Sequence, residues 1–230
     1  MATLYIVRHG HCESNVPDLI QGQIDSALTE LGKRQAEAAA DRLADERLTA
    51  VYSSDLSRAR DTASHIASRH RLQVRETPLL RECCLGVAQG LTASQFAERY
   101  PDNHRLWQED PITNRPPGAE RFEQVIERCG RFIREVTSTH ADEERIAVIG
   151  HVGSISGLIC AAFDLPVRFY LGMHVANASL SILDVGNKPL LRTLNEDCSY
   201  CALPFIVPDA TLTPDTRHLT PDPTNLSFGI

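Results

Sequence analysis

The sequence has no apolar run long enough to span a bilayer. It also lacks the basic and apolar start of a secretory signal peptide, because the apolar residues 4–7 are too few. Basic residues number only 23 against 30 acidic ones, and the net charge of −7 argues against nucleic-acid or membrane partners. We therefore expect a cytoplasmic protein, whose substrate can still be anionic if arginines cluster locally.

The seven cysteines are an odd number, and without an export signal we interpret them as reduced thiols. No internal repeat is visible. The chain of 230 residues is long enough to bury a substantial core, and its composition of 42% apolar and 23% charged residues is that of a globular protein.

Apolar segments alternate with helical patterns along the chain. The sequence predicts strands at 4–7, 50–52, 72–77, 146–149, 179–185 and 190–194. It predicts helices from the N-cap Thr29 to about Glu46, from the N-cap Asp55 to about His70, and over 92–100, 119–140 and 154–163. Several of the strands are apolar throughout, which is typical of a parallel sheet covered on both faces.

We therefore expect an α/β protein, a three-layer α/β/α sandwich with a mainly parallel central sheet. A small cap, about residues 83–120, should lie over the C-terminal strand ends. One catalytic domain is expected at 1–203. The segment 204–230 is rich in Pro and Thr and is predicted to be a C-terminal tail.

Basic and acidic side chains follow four of the predicted strands. In open α/β sheets, ligands bind beyond the carboxyl ends of the strands, so these residues should meet at one edge. The four strand exits carry Arg8-His9-Gly10, Ser53-Ser54 with Arg58 one turn into the next helix, Arg81-Glu82, and Gly150-His151.

These residue types complement one another in phosphoryl transfer. Arginine forks match the equatorial oxygens of a phosphoryl group. A neutral imidazole is a nucleophile at pH 7, whereas a hydroxyl would need its own base. One carboxylic acid can protonate the leaving oxygen and then deprotonate the attacking water. The set needs no metal ion.

In this order, the motifs resemble the histidine phosphatase superfamily, the phosphoglycerate-mutase-like fold, and its bacterial phosphatase branch in particular. The resemblance covers roughly residues 3–185. It rests on Arg8-His9-Gly10 with Asn15, Gln21-Gly22, Ser53-Ser54-Asp55-Leu56 with Arg58-Ala59, Leu80-Arg81-Glu82, Gly86, Gly90 and Gly150-His151.

The resemblance implies a metal-independent phosphomonoester hydrolase, without a cofactor, that acts on a small phosphorylated metabolite through a phosphohistidine. It implies that His9 is the nucleophile and Glu82 the proton donor. The phosphate would be held by Arg8, Arg58, His151, Asn15, Gln21, Gly22 and the backbone amide of Val152. A homodimer is compatible with the family.

Some positions depart from the family pattern, among them His11-Cys12 and Arg121. They leave the reaction class in place and bear on substrate identity. Arg115 and Arg121 flank Pro116-Pro117-Gly118, whose restricted backbone could hold both at the pocket rim. We therefore hypothesise that Arg115 and Arg121 favour substrates with a second anionic group.

Three alternatives stay open. A phosphoglycerate mutase uses the same site but passes the phosphoryl group to a second substrate. A non-catalytic phospho-ligand binding module on this fold typically lacks a histidine or the acid, and this chain has both. A metal site at His9, His11 and Cys12, or at Cys198-x-x-Cys201, is disfavoured because adjacent side chains diverge and one such cysteine pair is too few.

Overall fold

The computed structural model describes residues 1–16 and 19–198. The strands in this part are β1 (Ala2–Arg8), β2 (Leu48–Ser53), β3 (Val74–Glu76), β4 (Arg145–Gly150), β5 (Leu180–Val185) and β6 (Leu190–Glu196). The α-helices are α1 (Glu30–Arg42), α2 (Ser57–His70), α3 (Ala93–Arg99), α4 (Pro101–Glu109), α5 (Phe122–Thr139) and α6 (Val152–Phe163). The sequence predicted all of these elements except α4.

The strands form one sheet in the order β3-β2-β4-β1-β5-β6. The strands β1 to β4 are parallel to one another, and β5 is antiparallel to both of its neighbours, β1 and β6. The predicted mainly parallel sheet is therefore confirmed. Because β1 and β4 are central neighbours, the residues that follow them leave the sheet side by side.

Alternate residues of the central strands pack against helices on opposite faces of the sheet. Leu4 and Ile6 belong to a core formed with α5 and α6. Tyr5 and Val7 belong to a second core formed with α1 and α2. This alternation follows from the two-residue period of a strand. It gives the three layers that the apolar strands predicted.

The N-terminus of α2 differs from the prediction. Asp55 was expected to cap the helix, but the N-cap residue is Leu56, and it makes no side-chain cap. The carboxylate of Asp55 instead accepts hydrogen bonds from the guanidinium of Arg81 at 2.7 and 2.6 Å. A charge-assisted contact through two hydrogen bonds is stronger than a helix cap. Asp55 therefore pairs with Arg81 instead of capping α2.

The segment 83–120, the predicted cap, contains α3 and α4. Ala88, Leu91 and Phe96 form a small core within it, separate from the two cores of the sheet. Ile20 packs against this core and also against the α5–α6 core. The domain limits stay predictions, and the predicted tail, residues 204–230, lies outside the described part of the chain.

None of the helices in residues 1–16 and 19–198 is long and apolar enough to cross a membrane.

Candidate active site

The ends of β1 and β4 place two histidines next to each other. Arg8 lies opposite Gly150 in the parallel register, so His9 and His151 follow adjacent strand ends. Their ring centroids are 5.0 Å apart. Both side chains are buried.

The hydrogen bonds of His9 define its tautomer. Its Nδ1 lies 2.7 Å from the carbonyl oxygen of Gly10. Since a carbonyl can only accept, Nδ1 carries the proton and Nε2 keeps a lone pair. The Nε–H of Arg58 donates to this Nε2 at 3.3 Å. His9 thus presents an unprotonated nitrogen beside a guanidinium group.

The pKa values of both histidines favour the neutral form. Burial lowers the pKa of His9 and of His151 well below the usual 6.5, and the neighbouring charge of Arg58 lowers it further. Arg8 acts in the same direction. Near pH 7 both imidazoles are therefore uncharged, as a nitrogen nucleophile requires.

Arg58 is fully buried although it lies at the start of α2. Its guanidinium donates to the carbonyl oxygens of Gly22 and Ile24, both at 2.8 Å. Gly22 has a φ of +53°, a left-handed conformation that glycine adopts without strain. This turn directs the carbonyl of Gly22 to Arg58.

Arg8 donates through Nη1 to the carbonyl oxygen of Val175 at 2.6 Å. Its buried Nε has no hydrogen-bond partner in the described part of the chain. Burial lowers the pKa of Arg8 and of Arg58, and the charge of Glu82 opposes that shift. Neither arginine forms an ion pair with a carboxylate of the described residues, so their charge is available to an anionic ligand.

Glu82 reaches the same place from the segment after β3, and it is only 7% exposed. Its Oε1 accepts hydrogen bonds from the backbone N–H of Cys83 at 2.6 Å and of Gly153 at 3.0 Å. Gly153 lies in the first turn of α6, directly after the His151 strand exit. The acid is thus tied by backbone donors to the segment that carries His151.

The remaining predicted binding residues lie on two segments. Asn15 Oδ1 accepts from the backbone N–H of Cys12 at 2.9 Å and from its thiol at 3.1 Å. The same thiol lies 3.3 Å from Gln21 Oε1. The side chains of Asn15 and Gln21 therefore both contact the thiol of Cys12, three residues after His9. Val152 is the first residue of α6, where backbone N–H groups have no partner within the helix.

Arg115 and Arg121 differ in their surroundings. Arg115 donates to the carbonyl oxygens of Glu120 and Pro111 and to the thiol of Cys83. Its guanidinium also lies 3.9 Å from the ring centroid of Phe122. Arg121 is exposed at the start of α5. Their part in substrate selection stays a prediction.

Sequence reasoning missed two residues that support Glu82. The backbone carbonyl of Glu82 accepts from Gln23 Nε2 at 3.0 Å and from Arg128 at 3.1 Å. Arg128 also donates to both carboxylate oxygens of Glu120, at 2.8 and 3.2 Å. A signal was available, since Arg128 lies on the apolar face of α5 between Val125 and Phe132, where an arginine needs a partner.

Within residues 1–16 and 19–198, no group of three or more His, Cys, Asp and Glu side chains is placed to hold a metal ion. Cys12, Cys83, Cys84, Cys129 and Cys160 are free thiols. Cys201, the second residue of the Cys-x-x-Cys pattern, lies outside the described part.

Known proteins are similar to this chain in both sequence and fold. The family model of the histidine phosphatase superfamily (branch 1) matches residues 4–197. A metal-independent phosphoserine phosphatase of Arabidopsis thaliana is 39% identical over 86% of this chain and 82% of that protein. A Proteus mirabilis protein named "probable phosphoglycerate mutase" is 32% identical over 83% and 88% of the two chains. The structure of mycobacterial glucosyl-3-phosphoglycerate phosphatase with VO3 is 34% identical, with a TM-score of 0.77 over 84% of this chain and 98% of that one.

Proposed function

The chain belongs to the histidine phosphatase superfamily, branch 1, and we propose that it hydrolyses small phosphate monoesters through a phosphohistidine formed on His9. The lone pair of His9 Nε2, held beside Arg58 at 3.3 Å, is the observation that supports this most directly. The hydrolase assignment agrees with the relatives named as phosphatases, one of which is named as metal-independent.

In the first step, His9 Nε2 attacks the phosphorus, and the bond from phosphorus to the ester oxygen breaks. Arg8, Arg58 and His151 surround the phosphoryl group, with the two guanidinium charges facing its equatorial oxygens. No side chain has to lose a proton before the attack, because the pKa of His9 is already depressed by burial and by the two arginines.

Glu82 is the proton donor in this proposal. It gives its proton to the leaving alkoxide, and as a carboxylate it then takes a proton from the water that attacks phosphohistidine. Backbone N–H groups of Cys83 and Gly153 donate to Oε1 of this carboxylate and keep it within the site in both steps.

For the substrate we propose a phosphomonoester that carries a carboxylate. Phosphoserine and glucosyl-3-phosphoglycerate, the compounds in the names of two relatives, both contain one. Arg121 is exposed next to the cap and is the better placed of the two predicted selectivity arginines, since Arg115 has its donors engaged within the chain.

Phosphoglycerate mutase is the second candidate, because one relative carries that name. A mutase would pass the phosphoryl group from His9 to an acceptor alcohol instead of to water. The same residues would serve both reactions, so the acceptor has to be measured.

The test is to trap the intermediate. Wild-type protein, quenched in alkali during turnover of a labelled phosphomonoester, should retain label on His9 in a linkage that is stable to alkali and labile to acid. His9→Ala should retain none and should lose at least about a thousandfold in kcat, since it removes the nucleophile. His65→Ala, a change at a partly exposed histidine of α2, is the matched control.

Full activity of His9→Ala would refute the covalent mechanism. Loss of turnover with EDTA that a divalent ion restores would contradict the metal-independent assignment. The wild type, Arg115→Ala and Arg121→Ala should then be compared on phosphoserine, a phosphoglycerate and a neutral alcohol phosphate, with mutase activity assayed alongside. Equal kcat/KM for acidic and neutral substrates would reject the carboxylate preference. Transfer to phosphoglycerate faster than to water would favour the mutase.

The cytoplasmic location, the homodimer and the domain limits 1–203 stay predictions.

A further inference from the structure

Tyr170 has a buried hydroxyl that the mechanism above does not use. The residue lies in a short 3-10 helix, Val167–Gly172, that follows α6, and is only 3% exposed. Its hydroxyl has no hydrogen-bond partner in the described part of the chain. A phenylalanine would fill the same space without burying an unpaired polar group, so the hydroxyl calls for an explanation.

The hydroxyl of Tyr170 and the carboxylate of Glu82 lie next to each other, and both face the Cα atom of Gly153. A Cβ atom added to Gly153 would be 2.0 Å from Glu82 Oε1 and 2.5 Å from the Tyr170 hydroxyl oxygen. The two oxygens therefore share the space that the missing side chain of Gly153 leaves open.

The ring of Tyr170 is held in this orientation by stacking. Its centroid lies 4.4 Å from that of Phe122, with the two planes 29° apart. The guanidinium of Arg115 lies over the Phe122 ring in turn. Tyr170 can therefore move little, whereas rotation of the Glu82 carboxyl group about its last bond meets only a low barrier.

The charge on Glu82 changes during the reaction, and the hydroxyl is placed to respond. When Glu82 gives up its proton, it becomes a largely buried carboxylate. Its Oε1 accepts from the backbone N–H groups of Cys83 and Gly153, whereas its Oε2 has only a longer contact of 3.3 Å from the N–H of Gly153. Burial raises the pKa of Tyr170 well above its usual value of 10.0, and the charges of Cys83 and Glu82 add to the rise. The phenol thus keeps its proton and can donate it in a hydrogen bond.

We propose that Tyr170 is a positioning residue that donates a hydrogen bond to Glu82 as negative charge develops on this carboxylate. A fixed donor aimed at developing charge stabilises the transition state more than the ground state. Tyr170 stays protonated throughout, and no bond to it forms or breaks. This inference rests on the proposed role of Glu82 as proton donor.

The experiment is Tyr170→Phe, which removes one oxygen and keeps the stacked ring. We expect kcat for an alkyl phosphate to fall about tenfold, the effect of one hydrogen bond made in the transition state, with KM unchanged. Nitrophenyl phosphate should lose much less, because its leaving group needs little protonation. A loss of packing would instead lower the melting temperature and affect both substrates alike.

The double variant Glu82→Gln/Tyr170→Phe separates this inference from the function on which it rests. If Tyr170 acts through Glu82, the double variant should be no slower than Glu82→Gln alone. Tyr5→Phe is the matched control, because Tyr5 packs in the α1–α2 core and its hydroxyl donates to Glu46 at 2.8 Å. It should leave kcat for both substrates unchanged.

Two outcomes would overturn the inference: an unchanged kcat of Tyr170→Phe on alkyl phosphates, or losses that simply multiply in the double variant. If Glu82→Gln slows the hydrolysis of alkyl and nitrophenyl phosphates equally, Glu82 is not the proton donor. That result would refute the proposed function and not only the role of Tyr170.

Discussion

Arg58 and Arg128 are both buried, yet their charges are compensated in opposite ways. Arg58 donates to two backbone carbonyls and to His9, and no described carboxylate pairs with it. Arg128 donates to both oxygens of Glu120, at 2.8 and 3.2 Å, in addition to two carbonyls. One guanidinium is charge-balanced within the chain and the other is not.

The pKa values follow this difference. Burial lowers the pKa of Arg58, and the charge of Glu82 only partly offsets this shift. Burial would also lower the pKa of Arg128, but the hydrogen bond and the charge of Glu120 raise it above the usual value. A buried cation without an internal anion is stabilised by a ligand of opposite charge, whereas a neutralised one supports the fold.

The largest expected effect is on activity at Arg58. Arg58→Met keeps a long apolar side chain but removes the charge, and we expect kcat/KM for nitrophenyl phosphate to fall at least about a thousandfold. The free energy of unfolding should change by no more than about 1 kcal/mol, because the lost hydrogen bonds are offset by removal of an unpaired buried charge. Steady-state kinetics and urea denaturation measure the two effects. An active variant would contradict the role of Arg58.

Arg128→Met should do the reverse. It leaves Glu120 without its partner and should lower the free energy of unfolding by about 3–5 kcal/mol in urea denaturation. Its kcat/KM at a temperature where it is folded should fall far less than that of Arg58→Met. Arg128→Met/Glu120→Leu is the control, since removing both charges should restore much of the stability. If Arg58→Met proves the less stable single variant, the distinction between the two arginines is wrong.

The smallest effect concerns pH. Because burial depresses the pKa of His9 and His151 below 6.5 in the folded protein, the unfolded chain binds more protons as the pH falls through 6.5. Their contribution to stability is therefore complete above pH 6.5 and is lost progressively below it. Removing one such histidine should reduce the slope of unfolding free energy against pH, between 5 and 6.5, by up to about 1.4 kcal/mol per pH unit.

The measurement is urea denaturation of wild type and His151→Asn at several pH values, with His65→Asn as the control. Comparison of slopes cancels the carboxylates, which also titrate on acidification. Equal slopes for wild type and His151→Asn would show that His151 binds a proton as readily in the folded chain as in the unfolded one.

The sequence allowed the strand-borne part of the site to be predicted. Arg8, His9 and His151 directly follow or end apolar strands, so their convergence follows from parallel packing alone. The same rule placed Arg58 and Glu82 at this edge, although a helix turn or an irregular segment separates each from its strand; their roles came from the family resemblance.

The rest depended on contacts between distant residues. Arg128 meets Glu82, and Tyr170 approaches the same residue from beyond α6, through packing that no local pattern encodes. Asp55 shows the opposite error. Its type and position favour a helix N-cap, but its carboxylate forms an ion pair with Arg81 instead. The helix α4 was missed because it begins at Pro101, directly after α3 ends, in a stretch without clear periodicity.

The small core of the cap, Ala88, Leu91 and Phe96, has a consequence for how such a protein can diversify. This core is separate from the two that hold the sheet, and Ile20 is shared between it and the α5–α6 core. Mutations that reshape the cap can therefore accumulate without moving the strand ends that carry His9 and His151. Evolution can then keep the reaction and change the alcohol whose phosphate ester is hydrolysed. In this way one fold can serve many metabolites.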